Sequence, residues 1–168
     1  MIWKRNMQTY LNFGTNAGVI TTVPAEAGKA KYIDSVHGAT DKNHALIEIY
    51  SPISGTVATT SGSKTVTGTG TDFINELYPG ACIRIDDNTE ILFVDVIASA
   101  TSFTATANAS NNEASSGAVL MLASMEYSKG NIDGQFDRGY RGVIGKSISA
   151  KITESTSSCS LTVSSYST

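Results

Sequence analysis

The chain has 168 residues, enough for one domain, or one domain with extensions, to bury a sizeable core. Only 16% of its residues are charged and its net charge is −3, so no global field draws it to nucleic acid. No run approaches the roughly 18 apolar residues of a membrane-spanning helix, and two cysteines, Cys82 and Cys159, make neither a disulfide framework nor a ligand cluster.

The missing charge is replaced by Ser, Thr, Ala, Asn and 15 Gly. That mixture suits short strands and turns better than long salt-bridged helices, and it suits a surface partly covered by other protein. Lys4, Arg5, Lys29 and Lys31 outnumber Glu26 in residues 1–31. This is either a solvated basic face or an arm that docks on an acidic partner. The start, MIWKRNMQTYLNF, lacks the apolar stretch of a secretory signal, and the cysteine usage fits cytoplasmic synthesis.

In chain order, residues 7–13 (MQTYLNF) read as a strand, GTNAG as a turn, and VITTV (19–23) as a second strand. Pro24 stops it, having no N–H for a ladder. Residues 25–30 form a loop, residues 31–36 a strand, and HGATDKN (37–43) a turn. HALIEIY (44–50) is a clear strand, with Ala45, Ile47 and Ile49 on one side and Leu46, Glu48 and Tyr50 on the other.

From residue 55 to 122 the pattern becomes regular. GTVATT, KTVTGTG, ACIRID, EILFVDV, TSFTATA and AVLML are divided by SGS, DDNT, ASA and NASNNEASSG. Strands at such short spacings predict a small barrel or sandwich. Thr65, Thr67 and Thr69 share one face against Val66, and Thr71 is placed to cap a helical turn over residues 72–77. Phe73 and Leu77, four apart, can plug the barrel end, and Ile83 and Ile85 point inward. Cys82, in the run ACIRI, reads as a small buried hydrophobe. The stretch YSKGNIDGQFDRGYRG (127–142) reads as a loop, and GVIGKSISAKI and CSLTVSSYS as two strands or a long hairpin. On the first of these, Ile144, Lys146, Ile148, Ala150 and Ile152 make the more apolar face. Three segments result: an arm with irregular β (1–54), a β-barrel module (55–125), and a loop with a C-terminal β-hairpin (126–168).

Chemistry is sparse. His37 and His44 have no partners at metal spacing. Asp86, Asp87, Asn88 and Glu90 resemble an oxygen-rich calcium loop without its ordered spacing, and a hairpin turn is the expectation. Asn131, Asp133 and Asp137 read as turn residues in the same way. Asp95 and Glu48 are the carboxylates nearest to a glycosidase pair, and both are expected to face solvent. There is no G-x-S-x-G elbow, and no Lys-Ser/Thr follows GTGTDF as a phosphate loop requires. Asn108-Ala109-Ser110 matches a glycosylation acceptor by chance. Two aspartates dilute the Arg138, Tyr140, Arg141 group as a nucleic-acid surface. No catalytic, cofactor or metal site is expected, and no enzyme.

Gly68-Thr69-Gly70-Thr71-Asp72-Phe73, Pro79-Gly80, Ile83-Arg84-Ile85, the run from Glu90 to Ile97, and the run from Thr101 to Ala107 follow one another in a recognisable order. As a set they resemble a module common in structural proteins of tailed bacteriophages. The likeness covers about a third of the chain, and it departs at Ala81-Cys82, where the module often carries an acidic residue. The resemblance implies an all-β fold: a small SH3-like or Ig-like barrel or sandwich, here with an extended N-terminal arm and C-terminal β-strands. It also implies a non-enzymatic virion protein, assembled in the host cytoplasm and homo-oligomeric within its assembly. A capsid decoration (cement) protein on the major capsid protein is the specific expectation, and a neck or tail component, such as a head–tail connector or baseplate protein, is the alternative. Its anchors would be Trp3, Tyr10 and Phe13 on the arm, with Tyr140 and Arg141. A carbohydrate-binding module, using Tyr127, Phe136 and Tyr140, is the reading from another class.

Overall fold

Alternating apolar and Ser/Thr positions make strands almost everywhere, and a computed structural model of the chain describes residues 8–14, 20–40, 45–85, 90–127, 130–153 and 159–168. In chain order the elements are β1 (Gln8–Gly14), β2 (Ile20–Val23), β3 (Lys31–Thr40), β4 (Ala45–Pro52), β5 (Thr56–Thr59) and β6 (Thr65–Thr69). A single helical turn, α1 (Phe73–Glu76), precedes β7 (Cys82–Ile85), β8 (Ile91–Ser99), β9 (Ser102–Ala105) and β10 (Glu113–Ser116). Then come β11 (Ala118–Tyr127), β12 (Gly130–Arg141), β13 (Ile148–Thr153) and β14 (Cys159–Ser167). The chain divides into an outer unit, Met1–Ser51 with Leu122–Thr168, and a middle unit, Pro52–Met121.

The outer unit is a sandwich. One sheet runs β1-β14-β3-β12, and the strands of the other follow one another as β11-β4-β13-β2. Between them lies an aliphatic core: Ile33, Val36, Ile132 and Val163 from the first sheet, and Val23, Ala45, Ile47, Ile49, Ile148, Ala150 and Ile152 from the second. Counted within this unit alone, the strands lie in the order 1-8-3-6 and 2-7-4-5. Strand 1 pairs with 8, 2 with 7, 3 with 6 and 4 with 5, which is one long antiparallel hairpin wound into two layers. Eight strands so arranged are a jelly roll. The middle unit is inserted at the hairpin's tip, between β4 and β11.

Several expectations are corrected here. The turn expected over residues 37–43 is strand as far as Thr40, because β3 runs on between β14 and β12. The Gly/Asp/Arg-rich segment is not a loop: residues 130–141 form β12, the longest strand among the described residues, whose glycines are tolerated because β3 supplies the ladder. The C-terminal strands do not form a hairpin with each other: β13 pairs with β2 and β4, and β14 with β1 and β3. Ile144 is exposed in a turn instead of extending the apolar face of β13. Ser51, fully buried, holds that turn: its hydroxyl donates to the Ser147 carbonyl at 2.7 Å and accepts from the Val143 N–H at 3.0 Å.

The middle unit is a curved sheet in the order β10-β5-β6-β9-β8-β7, with residues 118–121 of β11 against β7. β8 makes the corner. Its residues 91–93 pair with β7, and its later residues pair with β9, with two register shifts inside that later part, between Val94 and Val96 and between Ile97 and Ser99. Bulges of this kind increase twist and let a small sheet curl on itself. Val57, Val66, Ile83, Ile85, Leu92, Val94 and Leu120 fill the interior. Phe73 and Leu77 plug it as expected, and the Phe73 ring meets Phe103 edge-on at 5.1 Å. Thr71 does not cap α1. Asp72 holds that position, while the Thr71 hydroxyl donates to the Ala100 carbonyl at 3.0 Å. Gly55, at φ +67°, lies so close to Thr69 that a Cβ would fall 2.1 Å from its carbonyl oxygen, so only glycine fits. Next to it, Ser54 is held through both its N–H (2.9 Å) and its hydroxyl (2.5 Å) by the Glu76 carboxylate.

Candidate functional site

The most distinctive surface lies on β8. Its opening run, ILFV, is apolar without interruption, whereas a strand with one wet face alternates. Leu92 and Val94 are buried in the middle unit, which sends Ile91 and Phe93 outward, 53% and 50% exposed. Phe93 stands beside Cys82 on β7, and Cys82 beside Met121 on β11. Ile91 stands beside Arg84 in the next row. Beyond the first register shift, Val96 is exposed as well. The result is an apolar strip across three adjacent strands.

Cys82 is therefore not the buried hydrophobe expected. It is half-buried on the outward face, opposite in direction to the fully buried Ile83 and Ile85. Burial still pushes its thiol above the usual range, with Arg84 opposing, so at neutral pH it stays protonated and adds to the apolar strip.

The expected anchors fall at several places. Trp3 lies outside the described residues. Tyr10 and Phe13 are on β1, opposite Val163 and Ser160 of β14 and at one edge of the four-stranded sheet. Tyr140 and Arg141 end β12 at the other edge. Arg141 is exposed and pairs in the ladder with Tyr32, whose ring stacks on Tyr166 at 4.7 Å. The sheet thus separates the β1 pair from the β12 pair by two strands.

Tyr127, Phe136 and Tyr140 do come together, but against the core. With Met125 they pack on the aliphatic cluster, Phe136 and Tyr140 meet edge-on at 4.6 Å, and the Tyr127 hydroxyl lies 3.7 Å from the Met125 Sδ. Burial pushes the Tyr127 hydroxyl above its usual range, helped by Asp133 and Tyr140. Gly134 makes room for it, since a Cβ there would sit 2.7 Å from that oxygen. All three rings are partly buried in this packing.

The polar candidates disperse. Asp95 is exposed, and Glu48 is half-buried opposite Lys151 in the β4–β13 ladder. Asp86, Asp87, Asn88 and His44 lie outside the described residues, and Glu90 accepts from the Ser110 N–H. Asp133 pairs with His37 across the β3–β12 ladder. Among the described residues no three His, Cys, Asp or Glu side chains converge to hold a metal ion.

No family model and no curated protein matches the chain. Solved structures give faint likenesses. The VP16–VP17 complex of the two major capsid proteins of bacteriophage P23-77 aligns over 97% of this chain and 98% of that one, at 8% identity and a TM-score of 0.23. The unassembled VP1 pentamer of KI polyomavirus aligns over 91% and 74%, at 9% identity and 0.26. The Gt strain of infectious bursal disease virus aligns over 98% and 42%, at 6% identity and 0.22. Scores this low add nothing to the strand order, which fixes the architecture by itself.

The outward face of β8 escaped sequence reading, although its signal was present. An unbroken run such as ILFV reads as a strand covered on both faces, while the curved sheet of the middle unit covers only one face of β8.

Proposed function

We propose that the chain is a non-enzymatic structural protein of a virus particle, most specifically a decoration protein that binds and stabilises the head shell. It works by burying surface on neighbours. The observation that carries this reading is the open apolar strip of Ile91, Phe93, Cys82 and Met121 on a chain poor in charge. Contiguous exposed apolar surface on a soluble unit marks a place made to be covered. Two further features support it. The jelly roll is an architecture used by viral capsid domains among others, and the bacteriophage-like motifs all fall inside the inserted middle unit. The partners would be the major capsid protein and further copies of this chain.

The test is quantitative protein measurement on purified particles, followed by rebinding. A shell-like copy number, with rebinding to stripped heads that Phe93→Ser abolishes while the fold is kept, is the expected result. A copy number matching a single ring would move the protein to the neck or tail. Absence from particles would end the reading.

A further inference from the structure

On the outer face of the four-stranded sheet, Ser35 and His37 stand two apart on β3, and Asp133 faces His37 from β12. Asp133 Oδ1 lies 3.0 Å from His37 Nδ1, and His37 Nε2 lies 3.1 Å from Ser35 Oγ. An ionised carboxylate can only accept, so the proton of the neutral imidazole sits on Nδ1. Nε2 is then left with a lone pair, and the Ser35 hydroxyl donates to it. Nucleophile, base and orienting carboxylate are thereby joined in one hydrogen-bonded line.

β3 is irregular next to this line. Both strands beside β3 slip register at Ser35: β14 between Ser164 and Ser165, and β12 between Gln135 and Tyr140. Ile33 and Val36 are both buried in the core, three apart where plain alternation would allow two or four. Ser35 and His37, two apart, share a face by plain alternation, and the extra residue, Asp34, is what turns Ile33 to the same side as Val36. Ser35 is only 7% exposed, while the His37 side chain is 41% exposed and the Asp133 side chain 71%, so the line meets solvent at its histidine and aspartate end.

We propose that Ser35 is a reactive serine that takes an acyl group from an activated ester. Ser35 Oγ attacks the ester carbonyl and His37 Nε2 takes the hydroxyl proton. A new Oγ–acyl bond forms, the bond to the leaving alcohol breaks, and His37 returns the proton to that alcohol. Asp133 is a positioning residue that holds the required tautomer. The reaction is a stoichiometric modification of the protein surface and leaves the structural role of the chain unchanged.

The experiment is incubation of the full chain with p-nitrophenyl acetate, with the acetylated residue located by peptide mass spectrometry and the rate followed by nitrophenolate release. Acetylation is expected at Ser35 ahead of the chain's other serines, and is lost in Ser35→Ala. His37→Gln, which keeps a hydrogen-bonding side chain but no base, is expected to slow it on the order of a hundredfold. Asp133→Asn is expected to slow it by about tenfold with the melting curve unchanged. Labelling of Ser35 no faster than of other serines, or an unchanged rate in a folded His37→Gln variant, overturns the proposal.

Discussion

The two units solve the same problem, covering one face of a sheet, by opposite routes along the chain. The middle unit is one continuous segment whose strands pair with near neighbours: β5 with β6, β7 with β8, β8 with β9. The outer unit is assembled from both ends. Gln8 stands opposite Ser165, and the core joins Val23 to Val163. Local pairings close short loops and form early, whereas distant ones carry a closure cost before any contact rewards it. The middle unit should therefore be the more autonomous half, and the outer unit should depend on every one of its strands.

The severest way to test that contrast is to end the chain at residue 158. This removes β14, the only strand lying between β1 and β3, together with Val163. The expected outcome is complete loss of amide-exchange protection in β3 and β12, with protection of β6 to β9 retained. Persistent protection in β3 would show that the outer unit does not need its closing strand.

The reverse test is Phe73→Ala. This ring is fully buried and meets Phe103 edge-on, so its loss costs the middle unit about 3–5 kcal/mol. Denaturant unfolding followed by exchange in β6 to β9 should shift by that amount, while the outer unit's transition stays in place. A common shift of both would mean that the two fold as one cooperative body.

A smaller effect sharpens the account of the outer unit. Glu26 is held by Lys29 and by Lys31, the latter at 2.6 Å, and these lysines lower its carboxyl from 4.5 to about 2. A depressed carboxylate value means stability that is fully present above 4.5 and fades as the pH falls from there through about 2. Glu26→Gln should remove this part of the acid dependence of the outer unit's melting temperature and leave its neutral-pH fold intact. An unchanged acid profile would show that the ion pairs carry no stability.

Much of the middle unit was legible from its residues. Val66 between outward threonines, the Phe73–Leu77 plug and the inward Ile83 and Ile85 follow from periods of two and of four. The outer unit was legible only where strands alternate plainly, as in Ala45, Ile47 and Ile49. In β12, glycine and aspartate have low strand propensity, and only the ladder from β3 overrides it. The Ser35–His37–Asp133 line was hidden for a related reason. Asp133 is 96 positions from His37, given by 133 − 37, and only strand pairing places it opposite.

The sequence by itself determined that this is an all-β chain with one short helical turn, and which faces its middle strands show. It could do so because alternation and turn chemistry act over a few residues, within reach of the backbone's own geometry. Tertiary structure decided that the two ends join in one jelly roll, that Ile91 and Phe93 stay uncovered, and that a serine, a histidine and an aspartate share one face. Those outcomes depend on which distant strands pair and in what register, and a slip of one residue would turn each of those side chains to the opposite side of its sheet.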